Sequence, residues 1–329
     1  MIDKIRYITT QETDPYRNLA LEEYLLKQVG DREVILYLWQ NERTVVIGKN
    51  QNPWKECRIA ELEADGGRLV RRLSGGGAVF HDLGNLNFTF LAGKENYDVE
   101  QQLDVILGAV KSLGIPAVKS GRNDLTAEDR KFSGNAFYSD GTHCYHHGTI
   151  LVKVDMEMLS HYLNVSREKL VTKGVESVRA RVVNLTEYAP SLTIEQMKQE
   201  LLHSFEKVYG LVPEELELSE LPIKKIELLT HKFSSWEWIL GRRLEFNFSL
   251  ERRFSWGGFE LLFMINSGRI AECRAYTDAL ETGFFEQLSS TLTGCEFSSA
   301  AMLRALERIS VTEALWKEDV INLIREAGI

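Results

Sequence analysis

The sequence predicts an α+β fold, in which strands and helices mix without the strict strand–helix–strand alternation of a doubly wound protein. Three observations carry this. Short β-branched and aromatic runs such as EVILYLW (Glu33 to Trp39) and LNFTFL (Leu86 to Leu91) are strand signals. They are interleaved with segments whose apolar residues return every three or four positions, such as Val99, Leu103, Ile106, Leu107, Val110 and Leu113. The composition is that of a globular chain: 329 residues, 44% hydrophobic and 26% charged, enough for two domains and a sizeable core.

Taken in order, Asp14 and Pro15 open the first helix, one as cap and the other at the first helical position; the helix runs to about Val29, and Gly30 stops it. Glu33 to Trp39 and Arg43 to Gly48 (RTVVIG) read as two strands of a hairpin joined by Gln40-Asn41-Glu42, and Leu86 to Leu91 as a further strand. Asp98 begins a helix that Gly114 ends, and Gly148 to Val154 (GTILVKV) is a strand. Thr193 with Gln196 forms a capping box, Gly210 closes that helix, and Met197, Leu201, Phe205 and Val208 are its buried stripe. Residues 211 to 232, with the charged PEELELSELPIKK, read as a transition with little β signal. Beyond it come strands Leu244 to Ser249, Phe259 to Asn266 and Arg269 to Tyr276, with Asn266-Ser267-Gly268 as a turn, then helices from about Gly283, Ser298 and Thr312. The expected domains are 1–240 and a smaller α+β domain 241–329, with the boundary falling between 211 and 245.

Charge and cysteine usage narrow the function classes. A net charge of −9 argues against general nucleic-acid binding, so any anionic ligand needs a local basic cluster. Cys57, Cys144, Cys273 and Cys295 are far apart and form no CxxC pair, which speaks against a zinc site or a disulfide framework. There is no apolar run of membrane-spanning length, and the first residues are polar without a signal core. A reducing cytoplasm is the expected home.

Three stretches carry the chemistry. RRLSGGGAVFHDLGN (Arg71 to Asn85) sets three consecutive glycines beside two arginines. Glycines let a ligand approach the backbone closely, consecutive amides can converge on one anion, and an arginine adds a planar donor fork. It is neither a P-loop, lacking GK[ST], nor a G-x-G-x-x-G fingerprint. On its own it reads equally well as a glycine-rich hairpin with exposed arginines. In GRNDLTAEDRKFSGNA (Gly121 to Ala136), Asn123 and Asp124 are candidates for a metal ion or a ribose, and Lys131 stands among small residues; a solvated charged loop is the plainer reading of a single lysine. In His146-His147-Gly148-Thr149, adjacent histidines on a strand point to opposite faces and make a poor joint metal site.

Taken together, these stretches resemble the lipoate–protein ligases, relatives of the biotin ligases. NPWKEC (Asn52 to Cys57), TKGVESVRARVVNLTE (Thr172 to Glu187), SSWEW (Ser234 to Trp238) and FSWGGFEL (Phe254 to Leu261) extend the likeness over essentially the whole chain, accessory domain included. The resemblance implies a mixed-sheet catalytic domain and a two-step reaction. Lipoate and ATP give lipoyl-AMP and pyrophosphate, and a lysine of an acceptor protein then attacks the mixed anhydride. It implies Lys131 as the catalytic cation on the lipoyl carbonyl and α-phosphate. Arg72, Gly75, Gly76, Gly77, Ala78, Val79, Phe80, Asn123 and Asp124 are the implied adenylate contacts, and Asp124 the Mg²⁺ carboxylate. Trp39, Arg72, Ser74, His81, Lys131 and His147 are implied around lipoate, Trp39 closing an apolar tunnel. Lys173 to Asn184 matches a loop that folds over the adenylate. Implied acceptors are the lipoyl domains of 2-oxoacid dehydrogenase E2 subunits and the glycine-cleavage H protein, with the ligase a monomer. Two departures are visible: Leu73 where some members carry a small polar residue, and a short TAEDR segment before Lys131.

Three other functions compete for these residues. An ATP-independent octanoyl or lipoyl transferase with Cys144 as nucleophile needs an oriented base and a low thiol pKa. A biotin ligase would carry a GRGR-type loop in place of SGGGAVFHD. A binding regulator with an N-terminal DNA-binding helix-turn-helix finds no room if the first strand begins at Glu33, and the acidic charge opposes it.

Overall fold

The computed structural model describes residues 2–121, 124–164, 182–241, 246–280, 282–309 and 314–329. The chain divides into two compact units. One comprises residues 1–46, 57–70 and 79–239; the other comprises residues 47–56, 71–78 and 240–329. The glycine-rich stretch thus belongs, up to Ala78, with the C-terminal unit.

The first unit is built on a sheet of β1 (Lys4–Thr9), β2 (Glu33–Trp39), β6 (Asn85–Gly93), β7 (Ala117–Ser120), β8 (Asp124–Ala127), β9 (Arg130–Ser139), β10 (His143–Leu151) and the short β11 (Glu214–Glu215). Among the described residues its strand order is β11-β1-β2-β6-β10-β9-β8-β7. β1 runs parallel to β2 and β11, and the remaining neighbours are antiparallel, so the sheet is mixed as the family resemblance implies. A separate small sheet holds β3 (Thr44–Ile47) between β4 (Arg68–Arg71) and β5 (Val79–His81).

Helix α1 (Pro15–Leu26) starts where expected, with the Asp14 carboxylate accepting from the Tyr16 and Arg17 amides. The helix Val99–Ser112 is capped by Asp98, and the helix Ile194–Tyr209 carries the Thr193–Gln196 capping box and ends on Gly210 at φ +67°. These two helices bury Leu103, Ile106, Val110, Met197, Leu201 and Phe205 on one face of the sheet, against Leu36, Leu38, Phe88, Phe90 and Ile150. α1 covers part of the other face with Asn18 and Glu22 buried.

Several elements differ from the sequence reading. β1 precedes Glu33, and KIRYIT mixes charges into an edge-side strand with little strand signal. In the C-terminal part the first strand spans Phe248–Phe254 rather than Leu244 to Ser249. The expected β2–β3 hairpin does not form: β2 pairs with β1 and β6, while β3 pairs with β5 in the other sheet. Between them Asn41 is fully buried and accepts from Asn18 Nδ2 at 3.0 Å, which ties the connection to α1 instead of to a tight turn. The supposed transition contains a helix, Ile223–Ser234, whose Lys232 bonds Glu23 of α1 at 2.6 Å. The GTILVKV strand begins earlier, at His143, so both histidines lie inside it.

In the second unit, the antiparallel strands Phe248–Phe254, Gly257–Asn266 and Arg269–Thr277 pack on the helices Gly283–Leu292, Ser299–Leu306 and Ala314–Glu326. Phe259, Leu261, Phe263, Phe285, Leu288, Met302, Leu306, Val320 and Ile324 form their core. The turn between the last two strands uses Ser267 and Gly268, both at positive φ (50° and 75°). Both units are α+β, the expected class. Among the described residues no helix is long and apolar enough to cross a membrane.

Candidate active site

The register of the first unit assembles a site face row by row. Trp39 lies opposite Asn87, and Asn87 opposite Thr149. In the next row Tyr37 lies opposite Thr89, Thr89 opposite His147, and His147 opposite Ala136. Residues two apart on a strand share a face, so both rows lie on one side of the sheet. A buried hydrogen-bond chain fixes them. The Trp39 indole N–H donates to Thr89 Oγ1 at 3.1 Å, that hydroxyl donates to Glu22 Oε1 at 2.7 Å, and the same oxygen is 2.8 Å from His147 Nδ1. Glu22 therefore sets the orientation of His147 and, through Thr89, of Trp39. A second chain runs from the Tyr37 hydroxyl to Asn18 Oδ1 (2.8 Å), from Asn18 Nδ2 to Asn41 Oδ1, and from Asn41 Nδ2 to His81 Nδ1 (3.2 Å). The His81 ring stands edge-on to Trp39, 6.3 Å between centroids. Trp39, His81 and His147 are thus brought together.

His146 points to the opposite face, as strand alternation requires. It is fully buried among Phe88, Phe90 and Phe137, with Nε2 2.8 Å from Asn135 Oδ1. Burial, and secondarily the neighbouring His147, pushes its pKa down to about 3. A depressed histidine pKa means the unfolded chain binds the extra proton first. This contribution to stability is intact above about pH 6.5 and is lost progressively as pH falls toward 3. The urea midpoint is accordingly expected to fall between pH 7 and pH 5, and His146→Gln to flatten that dependence; equal slopes in both proteins would contradict it.

Lys131 reaches the site face through a bulge. Leu125 pairs with Ser133 and Thr126 with Lys131, so Phe132 is an extra residue on β9. A regular strand would send residues 131 and 134 to opposite faces; one extra residue brings them to the same one. Phe132 turns into the core, fully buried, and a Cβ built on Gly134 would stand 2.8 Å from Lys131 Nζ. The ammonium therefore lies over Gly134, which follows Thr149 in the same row. It also pairs with Asp124 at 2.7 Å, and its side chain is 35% exposed. Lys131 is a strand residue and not part of a solvated loop. A methyl at position 134 is expected to displace the ammonium: Gly134→Ala should slow any step that uses it by about 10- to 100-fold with little change in thermal stability. Steady-state rates beside a melting curve check this.

In the second unit the glycine-rich segment is fastened by its own arginines. Arg71 donates to the carbonyls of Gly48, Lys49 and Gln51 at 3.1, 2.8 and 2.8 Å. Burial lowers its pKa to about 10, which leaves it charged at neutral pH. Arg72 donates to Ser74 Oγ (3.0 Å) and to the carbonyls of Gly75 (2.6 Å) and Gly77 (2.8 Å). Both arginines are buried rather than exposed, and the sequence could not show that carbonyls nearby would receive them. The Gly76 amide donates to Ala279 O at 2.8 Å with Gly76 at φ +90°, whereas the space where a Gly77 Cβ would lie is open. Ser74 is fully buried and Ala78 partly so; Val79 and Phe80 belong to β5 in the first unit.

Asn123 and residues 173–181 of the expected closing loop lie outside the described residues; Val182 to Asn184 follow, with the Val183 amide donating to Lys131 O at 2.9 Å. Among the described residues no three histidine, cysteine or acidic side chains gather into a metal cluster. Glu22, Asn87 and Thr89 were not singled out from the sequence. The signal for the last two was present: polar residues at alternate positions inside LNFTF, a strand buried along its whole length.

Residues 14–206 match the lipoyl protein ligase A/B catalytic domain, and residues 243–324 match the bacterial lipoate protein ligase C-terminus. P. falciparum LipL1, solved in complex with lipoate, superposes with a TM-score of 0.86 at 28% identity, over 98% of this chain and 99% of that chain. The bipartite lipoate protein ligase of Thermoplasma acidophilum, described with its E2 lipoyl domain, superposes at 0.64 with 26% identity, over 74% of this chain and 98% of that one. A lipoate-protein ligase A bound with ATP gives 0.63 at 26% identity, over 73% and 99%. With the first match alone spanning more than half of its length, the chain belongs to the lipoyl protein ligase A/B family.

Proposed function

We propose that this chain is an ATP-dependent lipoate–protein ligase: it converts lipoate to lipoyl-AMP with release of pyrophosphate, then transfers the lipoyl group to a lysine of an acceptor protein. The observation that carries this is the site row itself. A lysine ammonium lies over Gly134 at one end, and a fixed indole, Trp39, stands three strand spacings away, about 14 Å. Such a face suits an acid whose carboxylate meets the cation and whose chain runs toward an aromatic stop.

Adenylation brings a carboxylate against a phosphate. Two unit charges at ~4 Å repel by about 4 kcal/mol at an effective dielectric near 20. Lys131 offsets this by placing one ammonium between the two anions, and it stabilises the oxyanion again when the acceptor amine attacks. Of the glycine-rich segment, Gly77 and Ala78 supply backbone amides to the nucleotide, while Arg72 holds the segment in shape and brings its permanent positive charge to the phosphate side. Gly75, Gly76 and Ser74 shape that turn; Val79 and Phe80 continue the nucleotide-binding stretch. His81 and His147 line the lipoate face as oriented polar groups, and neither acts as a nucleophile. Magnesium is commonly held by one or two carboxylates plus phosphate oxygens. Asp124, partly exposed at 37% and with one oxygen on Lys131, fits that pattern. There Mg²⁺ would neutralise phosphate charge, with Asn123 beside it in sequence.

The acceptors proposed are E2 lipoyl domains and the glycine-cleavage H protein, and the working compartment the cytoplasm. Incubating an isolated lipoyl domain with the chain, lipoate and ATP is expected to add one lipoyl mass to the domain. No mass gain with ATP, but gain from an acylated carrier without it, would overturn the reading.

Cys144 speaks against the transferase alternative. It is 5% exposed and shares the parity of His146, on the side of the sheet away from His147. His146, on the same face, is engaged by Gln102 and Asn135 rather than oriented on the thiol as a base. Cys144→Ser is expected to retain at least half of the transfer rate; a near-complete loss in a folded protein would revive the cysteine route.

A further inference from the structure

Between Thr149 and Trp39 in the site row stands Asn87, 1% exposed. Its Oδ1 accepts from Asn85 Nδ2 at 2.8 Å, and Asn85, two residues back on the same strand, shares its face. The other halves of this pair, Asn87 Nδ2 and Asn85 Oδ1, are buried with no partner among the described residues. Exchanging oxygen and nitrogen in both amides leaves the same remainder, one N–H donor and one carbonyl acceptor. A buried amide without a partner destabilises a fold and calls for an explanation. Here the amide lies on the candidate ligand face, in register with the indole that closes it.

We infer that the Asn85–Asn87 amide pair reads the dithiolane ring of lipoate and sets a preference for lipoate over a straight-chain acid of the same length. This rests on the functional reading above, and it names a specificity-determining residue for that site. Asn87 stands two strand spacings, about 10 Å, from the row position of Gly134. An extended chain advances roughly 1.2 Å per bond, as backbone does. The nearer ring sulfur is six bonds from the carboxyl carbon, so it falls about 7 Å along the chain, and the hydrogen bond from Lys131 to the carboxylate adds about 3 Å. The sulfur thus reaches the amide, and sulfur is an acceptor, though a weak one. Octanoate places methylenes at the same point and leaves the N–H without a partner.

The test uses the full chain and compares kcat/KM for lipoate and octanoate, read by pyrophosphate release with ATP. Asn87→Leu is expected to lower the lipoate-to-octanoate ratio about 5-fold, the factor that one hydrogen bond of ordinary strength supplies. Asn87→Ser, which keeps a donor, should retain more than half of the wild-type ratio. If Asn87→Leu does not fold, Asn87→Ala takes its place with the same expectation. An unchanged ratio in a variant that turns over both acids overturns this inference alone. So do equal losses in the leucine and serine variants, because a packing role would move both. A wild-type chain that turns over neither acid overturns the functional reading, and this inference with it.

Discussion

Lys131→Ala is expected to lower lipoate-dependent pyrophosphate release by at least about 100-fold, the loss typical of removing one positioned donor from a developing oxyanion. The melting temperature should move by no more than a few degrees. The side chain is 35% exposed, and its Asp124 partner is 37% exposed. A half-exposed ion pair of that kind contributes little to stability. The strand does not depend on the ammonium either, because Phe132, the bulge residue, is what anchors β9 in the core. The loss should therefore fall on chemistry. Transfer from preformed lipoyl-AMP should slow as well, since in the proposed mechanism the same cation faces the carbonyl in both half-reactions. Normal pyrophosphate release from a folded Lys131→Ala protein would remove the residue from its role.

Of the three consecutive glycines, Gly75 is expected to tolerate a methyl least. Its Cβ would fall against the backbone carbonyls of Ala279 and Leu280, which have no rotamer by which to move aside. The segment would have to shift, and the Gly76 amide would lose Ala279 O. Overpacking of this kind destabilises by roughly 1–3 kcal/mol, and ATP affinity should fall at least about 10-fold because the backbone donors are displaced. Gly77→Ala separates structure from binding. No atom stands within 4 Å of the added methyl, and Gly77 is not among the glycines held at positive φ. Its melting temperature should match the wild type while its KM for ATP rises. Thermal melts beside ATP titrations check both variants. A Gly77→Ala protein with unchanged KM would show that the nucleotide does not approach this backbone.

What the sequence made legible follows the range of the interactions involved. Helix starts were readable because a cap is settled within four residues: Asp14, Asp98 and Thr193 all cap as expected. Strand pairing is settled by distant partners. RTVVIG after EVILYLW looked like a hairpin, yet β2 finds β1 and β6, and β3 finds β5. The same distinction holds at the site. Trp39, Lys131 and His147 were visible through motifs, and the register places Trp39 and His147 on one face with Gly134 under the Lys131 ammonium. The bulge that turns Lys131 to that face was invisible, because it exists only in the pairing of β8 with β9. Glu22 was invisible because a helix supplies it to a strand histidine 125 residues away. Arg71 and Arg72 were visible as charges, but their acceptors are main-chain carbonyls, which every residue has.

The proposed ligase activates a free acid before any acceptor is engaged. Pyrophosphate release from ATP on adding lipoate, with no acceptor protein present, isolates that step. Release is expected to depend on lipoate, to approach one equivalent per chain in the first turnover and to leave lipoyl-AMP bound. No release under these conditions, together with acyl transfer from a loaded carrier protein in the absence of ATP, would contradict the ligase reading.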